Sequence, residues 1–256
     1  MFISRPDAQL YAVSFGAAPQ TILALGGWIG SWELWTEPFS LLSPFWHTIA
    51  YDHRGSGATL ASPESITCTS LVEDLFAVLD SFAVDHCVLA AESAGAVTAL
   101  QAVLQQPERF RGLVIVDGLY HRERPRGGGD PFVAALQADF HATLDQFVDA
   151  CVVEANSEAL RRWGRQIVGR STPEAAIRLY ESMYDVDLRP QLAQITLPTL
   201  IIHGEQDRIV PVSVAQELAA QLPNNQLILL PGAGHVPTIT QPQAITNAIN
   251  AFFTRG

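Results

Sequence analysis

Short apolar runs recur along the chain, and segments with helical spacing lie between them. Thr21-Ile22-Leu23-Ala24-Leu25 is apolar without alternation and stops at Gly26-Gly27. His47-Thr48-Ile49-Ala50-Tyr51 follows the same pattern and stops at Asp52-His53-Arg54-Gly55-Ser56-Gly57. Further runs are Cys87-Val88-Leu89-Ala90, Gly112-Leu113-Val114-Ile115-Val116, Thr199-Leu200-Ile201-Ile202 and Gln226-Leu227-Ile228-Leu229-Leu230. Between them, Leu71, Leu75, Phe76, Val78, Leu79 and Phe82 fall at helical spacing, and residues 96–105 read as another helix. Strands that are apolar on both faces and alternate with helices predict an α/β protein, with a mostly parallel sheet covered by helices on both sides.

Between Leu119 and Pro190 the alternation stops. The stretch opens with the polar, glycine-rich piece Arg122-Glu123-Arg124-Pro125-Arg126-Gly127-Gly128-Gly129-Asp130. Helices are predicted over residues 131–154, 157–168 and 173–184, with starts marked by Asp130-Pro131, Ser157 and Thr172-Pro173. A helical segment inserted between two sheet strands forms a cap and adds no strand to the sheet. Residues 1–118 and 191–256 are therefore expected to form the core, and residues 119–190 a helical cap insertion, within a single structural domain.

Composition narrows the function. The chain has 256 residues and a net charge of −11, and all 15 of its basic residues are arginine. This acidic balance argues against a nucleic-acid partner, since a phosphate-neutralising surface needs clustered basic residues. Without lysine there is no Walker-type phosphate loop, Schiff-base lysine or lysine general base. Cys68, Cys87 and Cys151 stand far apart and suit neither a disulfide framework nor a zinc site. The histidines show no metal-ligand spacing, so no metal and no cofactor are expected. No apolar run reaches membrane-spanning length and no secretory signal is visible, which predicts a cytoplasmic protein, monomer or homodimer.

Reactive groups of parallel sheets gather at the carboxyl ends of the strands. Ser93, in Ala91-Glu92-Ser93-Ala94-Gly95, sits on a strand-to-helix turn flanked by small residues. Such a turn displays a serine nucleophile, although the same local pattern fits a helix N-cap. A serine hydroxyl needs a base, and an imidazole base needs a carboxylate to hold its tautomer. His235 follows the last apolar run in Gly232-Ala233-Gly234-His235, and Asp207 follows another in His203-Gly204-Glu205-Gln206-Asp207. Glu205 and Asp117, each after a strand, are the alternatives for the acid.

With these segments, and with Leu25-Gly26-Gly27-Trp28 and Tyr51-Asp52-His53-Arg54-Gly55-Ser56-Gly57, the chain resembles the α/β-hydrolase superfamily over most of its length. The resemblance implies the α/β-hydrolase fold and a Ser93–His235–Asp207 triad in the family's chain order. It also implies an oxyanion hole formed by the backbone N–H groups of Ala94 and Trp28. The chain departs from the common pattern at Gly26-Gly27, where His-Gly is usual, at Ala91, where glycine is usual, and at Glu92, a charged side chain beside the nucleophile. Trp28, Trp32, Trp35 and Phe39 either line an acyl pocket or pack beneath the oxyanion loop. Arg122, Arg124 and Arg126 either select an acidic substrate or form a solvated entrance.

The expected activity is that of a carboxylic ester hydrolase, cleaving small to medium esters or lactones through an acyl-enzyme. The same groups support carbon–carbon bond hydrolysis or perhydrolysis. A ligand receptor or signalling protein built on the same scaffold is the rival from another class.

Overall fold

The computed structural model describes residues 1–127, 129–184 and 186–254. The chain opens on β1 (Phe2–Arg5) and β2 (Ala8–Phe15), then runs through β3 (Thr21–Leu25), α1 (Thr36–Leu42), β4 (His47–Tyr51) and the short β5 (Leu60–Ala61). There follow α2 (Cys68–Ser81), β6 (Cys87–Glu92), α3 (Gly95–Gln105) and β7 (Phe110–Val116). A second stretch holds β8 (His121–Arg122), α4 (Pro131–Ala138), α5 (Phe140–Cys151), α6 (Glu158–Val168), α7 (Pro173–Glu181) and β9 (Val186–Asp187). The chain then returns with β10 (Thr199–Gly204), α8 (Val212–Gln221), β11 (Asn225–Leu230), α9 (Pro237–Thr240) and α10 (Pro242–Phe253).

Among the described residues the main sheet has nine strands, ordered β1-β2-β4-β3-β6-β7-β10-β11, with β5 on the side of β2. Every pairing from β4 to β11 is parallel, and β2 joins antiparallel. The predicted strands all lie in this sheet. Their apolar runs are explained by cover on both faces: Leu23, Leu89, Leu113 and Ile201 pack toward Leu75, Leu79, Leu100 and Leu218. Their neighbours Ile22, Val88, Val114 and Leu200 face the opposite way, toward Leu42, Ile245 and Ile249. This is the period of two that a strand imposes, and each such leucine or isoleucine contributes about 1.5–3 kcal/mol through burial.

The opening hairpin was not legible from apolar runs. β2 alternates, with Ala8, Leu10 and Ala12 buried between more exposed neighbours, and two of those three are small alanines.

The stretch between β7 and β10 is helical, as expected, but residues 131–154 form two helices where one was expected. Asp139 breaks them: its backbone is extended (φ −153°, ψ 95°), and its side chain accepts the Ala142 N–H to cap α5. A side-chain acceptor at this point competes with continued helix. Asp130 and Thr172 cap α4 and α7 in the same way. Ser157 precedes α6, but its hydroxyl donates to the Glu154 carbonyl at 2.5 Å and caps no N–H. Gly128 of the glycine-rich opening lies outside the described residues.

β8 and β9 pair antiparallel at the base of the insertion. Its helices bring Leu136, Leu144, Val148, Ala176 and Leu179 against Trp28, Ile29, Ala94 and Val97. The insertion thus lies over the loops that leave β3 and β6. No helix among the described residues is long and apolar enough to cross a membrane.

Candidate active site

Ser93 occupies the sharp turn between β6 and α3, with φ +52° in the left-handed region. That conformation is costly for a residue with a side chain and is kept only where the surroundings enforce it. The Ser93 N–H donates to Val116 O at 2.8 Å, and the Ser93 carbonyl accepts from Ala96 at 3.0 Å. Gly95 is required because a Cβ there would lie 2.4 Å from Gly26 O. The hydroxyl makes no capping bond to α3 and donates instead to His235 Nε2 at 2.8 Å.

His235 lies in the loop after β11, held from outside the sheet. Its N–H donates to Cys151 O at 2.8 Å, and the Gly234 N–H donates to Glu154 Oε1 at 3.0 Å. The end of α5 and the residues just after it therefore grip the histidine loop. On its other side, His235 Nδ1 donates to Asp207 Oδ2 at 2.7 Å. Asp207 Oδ1 accepts from the N–H groups of Ile209 and Val210 at 2.7 and 2.9 Å. Burial works to raise the Asp207 pKa, but the hydrogen bonds from His203 and His235 outweigh it and hold the carboxyl well below its usual range.

The structure brings Ser93, His235 and Asp207 into one hydrogen-bonded line. Glu205 is exposed and outside it. Asp117 is fully buried, accepts the Gly204 N–H at 2.8 Å, and lies behind His203 with no contact to His235. Burial, reinforced by the Asp207 charge, pushes the Asp117 carboxyl well above its normal pKa. Asp117, His203 and Asp207 are the group among the described residues whose potential metal-ligand atoms lie within 4.8 Å of one another. The set is engaged only in part: His203 Nε2 donates to Val210 O at 2.9 Å and Asp207 holds His235, while Asp117 Oδ2 and His203 Nδ1 have no hydrogen-bond partner among the described residues.

Trp28 and Ala94 are both buried, and neither N–H has an acceptor among the described residues. Gly27 brings this loop against Ser93, since a Cβ on it would lie 2.9 Å from the Ser93 Cβ. The Trp28 indole packs into the insertion: Nε1 donates to Ala176 O at 2.8 Å, and the rings of Phe132 and Phe147 stand edge-on with centroids 5.2 Å away. Trp35 donates to Leu25 O and packs with Phe39 in the core, beneath the loop. Arg122 stacks on Tyr180 at 3.6 Å and lies 4.0 Å from Asp130.

Glu92, the charged residue before Ser93, is fully buried and accepts from Thr238 Oγ1 at 2.8 Å. Burial pushes its pKa up to about 8; the Thr238 bond resists and the Asp207 charge assists. The run of apolar residues before Ser93 had not pointed to a role for His53 or His203, both buried beside the site. His53 lies just past the end of β4 and His203 is the penultimate residue of β10, and that position at the carboxyl end of a strand was the available signal.

The family model for the alpha/beta hydrolase fold matches residues 20–242. The chain belongs to the α/β-hydrolase family. It is 27% identical over 246 residues to a Caulobacter sp. (strain K31) protein named as a carbamate hydrolase, covering 92% of this chain and 91% of that one. It is 26% identical over 260 residues to the pimeloyl-[acyl-carrier protein] methyl ester esterase of Vibrio campbellii, covering 96% and 99% of the two chains. The enol-lactonase structure from Burkholderia xenovorans LB400 superposes with a TM-score of 0.89 at 20% identity, over 97% of each chain.

In this α/β hydrolase a cavity opens beside Ser93 and His235, walled by Ile29, Leu34, Phe147, Val152, Ile167 and Ile239. It is small, about 50 Å³, which is space for a few waters. No arginine lines it among the described residues.

Proposed function

We propose that this α/β hydrolase is a serine hydrolase that cleaves small, uncharged carboxylic esters or lactones. The observation that carries this reading is the unbroken line from Ser93 Oγ to His235 (2.8 Å) and from His235 to Asp207 (2.7 Å), beside two buried N–H groups without acceptors. His235 Nε2 takes the Ser93 proton as Oγ attacks the acyl carbon. Asp207 keeps the other imidazole proton on Nδ1 and stabilises the imidazolium that forms. The carbonyl oxygen becomes an anion facing the N–H groups of Trp28 and Ala94, where each donor is worth about 3 kcal/mol in the transition state. His235 then gives its proton to the departing alkoxide. Water, activated by the same imidazole, attacks the acyl-enzyme and releases the acid.

The apolar wall and the small cavity favour a short, neutral acyl group, because no arginine among the described residues lines the cavity to offset the burial of a substrate carboxylate. Residues 119–190 act as a cap over this cavity, and a longer substrate requires the cap helices to move. A panel of p-nitrophenyl acetate, butyrate and octanoate, a γ-lactone and an anionic hemisuccinate ester tests the reading. Turnover should be fastest on the short neutral esters and should fall by about 10⁴-fold or more in Ser93→Ala. Undiminished turnover in Ser93→Ala would remove the assignment.

A further inference from the structure

His53 is buried and stands directly behind the oxyanion loop. Its Nε2 lies 2.9 Å from Gly27 O and its Nδ1 lies 3.0 Å from Arg54 O. Carbonyl oxygens only accept, so an imidazole that carries its proton on Nε2, or on both nitrogens, donates to Gly27.

The Gly27 carbonyl belongs to the same peptide unit as the Trp28 N–H. In a planar trans peptide these two groups point in opposite directions, so fixing the oxygen fixes the direction of the N–H. Gly27 has no side chain to restrain this unit, and none would fit, given the 2.9 Å approach of its notional Cβ to Ser93. The restraint therefore has to come from outside. Gly30 N–H supplies one bond to Gly27 O, at 3.1 Å, and His53 supplies the other. The loop carrying His53 braces the same region a second time, because Asp52 Oδ1 accepts the Trp32 N–H at 2.8 Å.

We infer that His53 is a positioning residue for oxyanion stabilisation: its Nε2–H holds the Gly27–Trp28 peptide so that the Trp28 N–H stays aimed at the oxygen that becomes anionic. The inference rests on the reading of Ser93 as nucleophile and Trp28 as oxyanion donor. Donation to the carbonyl also polarises the peptide and strengthens its N–H as a donor.

The test uses two variants that keep different halves of the ring's bonding. His53→Gln places an amide N–H near the position of Nε2, and His53→Asn places one near Nδ1. The readouts are the rate at which a fluorophosphonate labels Ser93, whose phosphoryl oxygen occupies the oxyanion site, and kcat and KM on p-nitrophenyl acetate. His53→Asn should lower the labelling rate and kcat by about 10- to 100-fold, less than outright removal of a donor, with KM nearly unchanged. His53→Gln should stay within about threefold of the parent, as a variant that keeps the Gly27 bond. His53→Leu, which offers neither donor, should match His53→Asn and replaces it if the asparagine chain does not fold. Equal rates in the glutamine and asparagine variants, or a loss confined to KM, overturn the inference. A parent enzyme that fluorophosphonate does not label overturns the Ser93 reading itself, and the inference with it.

Discussion

Thr238 Oγ1 donates to Glu92 Oε1 across 2.8 Å of buried space, tying the residue before Ser93 to the short helix that follows His235. The other Glu92 oxygen has no partner among the described residues. Burial is the main reason its pKa rises from 4.5 to about 8. The folded chain therefore holds a proton on Glu92 over a range in which the unfolded chain has released it. The stability contributed by the neutral carboxyl is complete below about pH 4.5 and is lost as pH rises toward about 8. Glu92→Gln cannot ionise and keeps an acceptor for Thr238. It should melt above the parent at pH 8, by an amount on the order of a few kcal/mol, and the gap should close near pH 4. Thermal melts across this range measure it, and matching Tm values at pH 8 would count against a neutral Glu92.

Asp207, Asp117 and Glu205 separate cleanly by environment, and their amide variants should separate likewise. Asp207 is the carboxylate bonded to His235, so Asp207→Asn should reduce kcat by about 10³- to 10⁴-fold with the fold intact. Asp117 is buried and its carboxyl is pushed toward the neutral form, so Asp117→Asn is a close mimic and should change kcat only a few-fold. Glu205 is exposed, and Glu205→Gln should leave kcat unchanged. Steady-state kinetics on one ester decides among them. A large loss in Asp117→Asn with little in Asp207→Asn would reassign the acid.

The central sheet and the line of Ser93, His235 and Asp207 were legible because each rests on a local signal: an apolar run covered on both faces, then a small-residue turn or a glycine-flanked histidine. Features that depend on distant partners were not. Nothing near Glu92 in the chain points to Thr238, and nothing near His53 points to Gly27. The break at Asp139 was hidden because an aspartate that caps a helix and one that rides on its solvent face look alike until the backbone angles are known. Trp28 was ambiguous for the same reason: its fate was decided by Ala176, Phe132 and Phe147 in the insertion.

The tight contact at Gly95 gives a steric test of the turn that carries Ser93. A Cβ on Gly95 would lie 2.4 Å from Gly26 O and 3.3 Å from the Leu25 Cβ, and neither is the far end of a flexible side chain. Gly95→Ala must therefore push α3 away from the loop that follows β3. It should cost about 1–3 kcal/mol of stability as an overpacked site, and kcat should fall more than KM changes. Denaturant unfolding and ester kinetics on the same preparation check both. An alanine variant with parental stability would mean that the two backbones are not in the close contact described.

Glu154 ties the insertion to the loop that carries His235. Its Oε1 accepts the Gly234 N–H at 3.0 Å, next to the Cys151 carbonyl that receives the His235 N–H at 2.8 Å. Removing the carboxyl frees the glycine before His235, the proposed base, while leaving the imidazole and its carboxylate chemically unchanged. A misplacement of about 1 Å in a reacting group costs up to about 100-fold, and the remaining Cys151 bond limits how far His235 can move. Glu154→Ala should therefore lower kcat by about tenfold, a fraction of that limit, with a smaller effect on KM. Glu154→Gln, which keeps an acceptor for Gly234, should restore most of the loss. If both variants fall equally, the charge of Glu154 matters and its grip on the loop does not. If neither falls, the Cys151 carbonyl alone is sufficient to hold His235 in line with Ser93.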